Sequence, residues 1–209
     1  MASFSNKAYH QIKRRIISLE MPPGSVIDEE ALKKELGISR TPIREALQRL
    51  AREYLVAILP RRGMFVADIG ITDLRQIFEA RIPLEAACAR LAAERAEEQS
   101  IAAMESLVQQ IPAVCLMNDC RALMSIDEQM HELLARASNS KFVADGVGRL
   151  HALSLRFWHL TRDQMRSMED AMREHIALVE ALKRRDPEAA EAAIRRHLTD
   201  FQTRVRAVI

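Results

Sequence analysis

The sequence predicts a mainly α-helical protein in two parts, an N-terminal winged helix-turn-helix followed by a C-terminal all-α antiparallel helical bundle. Four of the six glycines and four of the seven prolines fall in the first 70 residues, so turns concentrate there and the rest reads as long helices. Beyond residue 72 apolar residues recur at helical spacing in segment after segment, with no credible strand. With 209 residues and 48% hydrophobic composition there is material for two separate cores. The boundary falls at Asp68 to Thr72, which gives domains over 1–70 and 71–209.

Each element follows from local chemistry. A helix over about 6 to 20 is broken by Met21-Pro22-Pro23-Gly24, and a second over about 28 to 36 is ended by Gly37. A third starts at once, with Ser39 or Thr41 as N-cap and Pro42 in its first turn, and carries Ile43, Leu47 and Leu50 on one face. Tyr54 to Leu59 and Met64 to Ala67 are short strands around the basic turn Pro60-Arg61-Arg62-Gly63. Six amphipathic segments follow, near 73–97, 100–111, 116–138, 141–164, 167–185 and 187–207, with Asp186-Pro187 separating the last two.

The charge is uneven. Residues 1 to 70 hold 12 Lys or Arg against 8 Asp or Glu, whereas the remainder holds 19 against 21, so a polyanion partner belongs at the N-terminal end. Cys88, Cys115 and Cys120 are odd in number and lack C-x-x-C spacing, which suits reduced thiols rather than a disulfide framework. No apolar leader opens the sequence, and no run approaches the ~20 apolar residues of a membrane span. A cytoplasmic protein with no membrane partner is expected.

Two short helices joined by a tight glycine turn, the second bearing Arg40, Thr41, Arg44, Gln48 and Arg49, form the pattern of a helix-turn-helix. Residues at the start of a recognition helix enter the major groove, where arginine forks onto guanine edges while Thr41 and backbone amides hold phosphates. Arg61 and Arg62 at the hairpin tip suit a neighbouring minor groove or backbone, and Gly63 lets the chain turn closely there. A short charge cluster is ordinarily a solvated face, but the ordered set of helix, turn, helix and basic hairpin points to DNA. The stretch GISRTPIREALQRLAREYLVAILPRRGMFVA resembles the winged-helix core of the GntR superfamily of bacterial regulators. The resemblance implies operator contacts by Arg40, Thr41, Arg44, Arg49 and Gly63, as in FadR-like members. Glu30 departs from it, standing where some relatives carry a DNA-contacting arginine.

In the second half, ionisable groups lie on apolar helix stripes, where they are costly unless paired or liganded. Asp127 and His131, four residues apart, share a face with Cys120, Leu123, Met124, Met130 and Leu134. His175 runs with Met172, Ile176, Val179 and Leu182, and His197 with Ala193, Ile194, Leu198 and Phe201. His175 lies 11 residues before Asp186 and His197 lies 10 after Pro187, so antiparallel helices set the two imidazoles at nearly equal height. One such histidine is ordinarily a hydrogen-bonded core residue. Asp127, His131, His175 and His197 together point to a divalent metal, zinc first, with nickel, iron or manganese as further options.

Residues 72 to 207 resemble the FCD ligand-binding domain of FadR-like GntR proteins, whose metal-binding members present D-x-x-x-H on one helix and single histidines on two later ones. The short second domain resembles the six-helix, VanR-type variant. The resemblance also places Arg81, four residues before Glu85, where FCD members direct an arginine into the pocket, a role in binding a carboxylate ligand. An ordinary surface ion pair is the other reading. His151, Arg156, Trp158 and His159 are candidates to line the pocket, with packing or capping as their plainer roles.

The expectation is a homodimeric repressor of operator DNA, not an enzyme, with a small organic acid at the metal as effector. Two rivals stand beside it. One is a metal-independent regulator whose histidines only pack. The other is a metal-dependent hydrolase tethered to a DNA-binding domain, though no general base or nucleophile motif accompanies the histidines.

Overall fold

Ser3 opens the first helix by accepting from the Asn6 amide, and the apolar face of α1 (Phe4–Ile17) buries Ala8, Tyr9, Ile12 and Ile16. The structure is a computed structural model that describes residues 3–117, 119–161 and 169–209. Asp28 caps α2 (Glu29–Leu36) by accepting from the amides of Glu30 and Ala31, and Gly37 ends it with a φ of 63°, the left-handed turn that favours glycine. α3 (Arg40–Arg52) starts at Ser39, which makes no side-chain cap bond, and buries Ile43, Ala46, Leu47 and Leu50 against α1.

The strands β1 (Val56–Leu59) and β2 (Gly63–Val66) pair antiparallel from Val56 opposite Val66 to Leu59 opposite Gly63. Tyr54 is not in the first strand, where the sequence placed it. It leaves α3 with a φ of 61°, because the amide of Leu55 turns back to the Leu50 carbonyl before extended pairing can begin. The far edge of β2 is also used: Gly24 donates to Val66, Val66 to Ser25, and Ile27 to Met64. Gly24 turns there with a φ of 73°.

The described part of the second half is helices joined by short turns: α4 (Ile71–Arg95), α5 (Glu98–Val108), α6 (Ile111–Leu116), α7 (Cys120–Ala137), α8 (Lys141–Thr161), α9 (Glu169–Lys183) and α10 (Pro187–Arg206). The six-residue α6, opened by Pro112, adds to the six segments expected. The expected junction of the segments ending at 164 and starting at 167 falls outside the described residues. Asp186 caps α10 by accepting from Ala189. α4 packs on α10 and α7, and α9 on α10 and α5. No helix among the described residues is long and apolar enough to cross a membrane.

Contacts divide the chain into two units, Met1–Gly70 with Ala152–Leu160, and Ile71–His151 with Thr161–Ile209. The first has its own core, built from α1, Ile27, Leu32, Ile38, the inner face of α3, Leu55, Val56 and Val66.

Candidate metal centre and nucleic-acid interface

In the first unit, α3 presents Arg40, Thr41, Arg44 and Gln48 exposed on one side, opposite its buried stripe. Glu29 on α2 accepts from Nε of Arg40 at 3.0 Å and from Nε of Arg44 at 2.8 Å. Arg49 is five residues beyond Arg44 and so turned about 140° around the helix. Its guanidinium lies 3.6 Å from the centre of the Tyr9 ring and its Nη1 donates to Asn6. The structure therefore sets Arg49 apart from the other four, against α1. Arg61, Arg62 and Gly63 stand exposed at the hairpin tip, where Gly63 takes a φ of 105°. Glu30, the departure noted in the sequence, is exposed and pairs with Lys33.

In the second unit, Asp127 and His131 on α7, His175 on α9 and His197 on α10 converge. All four are buried, and one donor atom from each lies within 4.8 Å of the others. Oδ1 of Asp127 sits 2.8 Å from Nε2 of His175, 3.3 Å from Nε2 of His197 and 3.7 Å from Nε2 of His131. The rings of His175 and His197 are 4.2 Å apart, the equal height that antiparallel helices impose. On α7, Leu123, Met124, Met130 and Leu134 are buried around the site, but Cys120 is exposed at the helix start. Ile176, expected on the core stripe of α9, is 38% exposed because it lies one residue round from His175.

A second layer holds this cluster. Nδ1 of His131 meets Oε2 of Glu85, and the other oxygen of Glu85 accepts from Nε of Arg81. The carboxylate fixes the proton on Nδ1 and leaves the Nε2 lone pair facing inward, the arrangement by which an outer carboxylate orients a ligating imidazole. Arg81 is thus no surface pair with Glu85: both side chains are buried, and Nη2 of Arg81 reaches to 3.2 Å from His131 Nε2. His151 joins as well, with Nε2 3.6 Å from Oδ2 of Asp127. Arg156, Trp158 and His159 fall in the first unit, and Arg156 donates to the Ala67 carbonyl there, in line with the plainer packing role.

Electrostatics match this geometry. Burial alone would raise the Asp127 carboxyl, but the imidazoles of His131, His151, His175 and His197 outweigh it and hold it well below the usual carboxylate range. Glu85 is fully buried too, and Arg81 and His131 hold it low. Burial pushes His131 down to about 3, against the pull of Glu85 and Asp127, so its imidazole is neutral at physiological pH. Three imidazole Nε2 atoms surround one carboxylate oxygen, and on His131 the Glu85 carboxylate fixes which ring nitrogen carries the proton. Nδ1 of His175 is buried without a hydrogen-bond partner among the described residues. The donor set fits a divalent cation of the borderline class.

The comparisons agree with the architecture. Residues 4–66 match bacterial regulatory proteins of the gntR family, and residues 76–200 match the FCD domain. The chain is 27% identical over 204 residues to the HTH-type transcriptional repressor RspR of Escherichia coli (strain K12), covering 98% of this chain and 90% of the relative. It is 35% identical over 130 residues to an HTH-type transcriptional regulator in the TAR-I ttuE-ttuC' intergenic region of Agrobacterium vitis, covering 61% of this chain and 76% of the relative. Among solved structures it is similar to E. coli McbR/YncC, with a TM-score of 0.88, 20% identity and 99% of each chain covered.

Proposed function

The chain belongs to the gntR family of bacterial regulatory proteins and carries an FCD domain, and from that premise we propose that it is a homodimeric repressor whose hold on operator DNA is set by a small organic acid at a divalent metal. DNA-binding transcription regulation comes with the family, whose members are regulators rather than enzymes. Repression is carried over from the name of the relative RspR. A dimer is the form in which one recognition helix per subunit reads a two-fold operator. Arg40, Thr41, Arg44 and Gln48 read and grip one half-site, and Arg61, Arg62 and Gly63 meet the adjacent groove or backbone. Arg49 contributes a phosphate contact from its seat on Tyr9.

The observation that carries the metal reading is the convergence of Asp127, His131, His175 and His197. These four residues would hold the ion, which supplies Lewis acidity and open coordination positions for a carboxylate. Glu85 fixes His131 in the tautomer that presents Nε2. Charge favours the same ligand class. Apart from the imidazoles, buried Asp127 and Glu85 stand against Arg81, a net single negative charge. A divalent cation leaves one positive charge in excess, which a monocarboxylate balances, and the Arg81 guanidinium beside His131 supports the same ligand class.

The reading is tested by a thermal-shift screen of small carboxylates on chelator-stripped protein, with and without added zinc, nickel or manganese. A rise in melting temperature that needs both metal and carboxylate is expected, and binding at 100 times Kd corresponds to about 2.7 kcal/mol. A carboxylate that shifts the stripped protein equally would place the effector elsewhere.

A further inference from the structure

Glu29 occupies the first position of α2, and its side chain is only 15% exposed. One of its oxygens, Oε2, takes the Nε donors of both Arg40 and Arg44, whose side chains are 55% and 52% exposed. Both bonds use Nε, so neither draws on the Nη1 and Nη2 pair that forks end-on onto guanine O6 and N7. An arginine on an exposed helix face samples many rotamers, and ordering it on binding costs entropy. Glu29 orders two of them before DNA arrives. Asp28 already caps α2 with bonds to the amides of Glu30 and Ala31, so Glu29 is not needed as a cap.

We propose that Glu29 is a specificity-determining positioning residue, which holds Arg40 and Arg44 in the pose that reads guanines and whose negative charge weakens binding to every duplex that does not offer them. The two effects separate by physics. Repulsion between a carboxylate and the phosphate backbone is indifferent to sequence. Pre-ordering an arginine fork gains only where a guanine edge meets it. Glu29 therefore lowers general DNA affinity while raising the ratio of operator to other DNA. Its ionised form is supported locally: burial would raise its carboxyl, but the bonds from Arg40 and Arg44 bring it below the ordinary value.

This inference rests on the operator reading above, and one titration separates the two. Full-length protein selects a preferred duplex from a random pool, and Kd is measured for that duplex and for a scrambled one at a single salt concentration. The wild type, Glu29→Gln and Glu29→Asp are compared, each with its melting temperature. Glu29→Gln is expected to keep or raise affinity for the scrambled duplex and to cut the selected-to-scrambled ratio about tenfold. Glu29→Asp keeps the charge at the helix N-terminus but is too short to hold both arginines, so it loses ratio at unchanged melting temperature. Ratios within about twofold of the wild type in both variants would overturn the proposal. So would equal losses on both duplexes with a lowered melting temperature, which mark a structural residue. A wild type that prefers no duplex sinks the operator reading and this inference with it.

Discussion

Elemental analysis of chelator-free preparations is expected to find one divalent ion per subunit in the wild type and almost none in His197→Ala. His197 brings one of three imidazole nitrogens that surround Oδ1 of Asp127, and its Nε2 lies 3.2 Å from that of His131. Removing it takes away one of four protein donors, and the carboxylate and two imidazoles that remain hold the ion less tightly. The loss has a second signature, because a ligand that binds only the folded state stabilises it by mass action. Chelator is expected to lower the wild-type melting temperature by roughly 5 to 10 °C, at ~2 to 4 °C per kcal/mol for a chain of this size. In His197→Ala chelator is expected to change nothing. Full metal content in the variant would remove His197 from the site.

Arg44→Ala is expected to weaken operator binding by about 1 to 3 kcal/mol and to relax preference at one base pair. Arg44 stands on the exposed side of α3 with Arg40, Thr41 and Gln48, away from the stripe that packs on α1, so its removal leaves the core untouched. Titrations of single-base-pair operator variants, repeated over a salt series, provide the check. A uniform loss across all sequences with a flatter salt slope would make Arg44 a backbone clamp.

The two units were unequally legible. The helix-turn-helix and its basic hairpin could be read because caps, glycines and prolines are local signals: Asp28 and Gly37 bracket α2 as their chemistry requires. The metal candidates could be read because histidines on apolar stripes are costly oddities, and the spacing around Asp186-Pro187 fixed the relative height of His175 and His197. Glu85 carried the same kind of signal. It falls with Arg81 on the buried stripe of α4 that includes Leu74, Phe78, Ala89 and Ala92, yet spacing alone could not tell a buried pair from a surface one. The place of Arg49 on Tyr9 was beyond sequence reasoning, since 40 residues separate the partners. The hold of Glu29 on the recognition helix was equally hidden, because a carboxylate in the first turn of α2 reads simply as helix-dipole chemistry.

Control of DNA binding through the metal is measured by an operator titration with and without the carboxylate found by the thermal-shift screen, in the wild type and in His197→Ala. Linkage requires that effector and DNA oppose each other by one shared factor, typically about 5- to 150-fold. Wild-type protein is expected to lose operator affinity within that range, while folded, metal-free His197→Ala binds the operator and ignores the effector. If the metal-free variant releases DNA at the same effector concentration as the wild type, the metal is structural and the effector acts elsewhere.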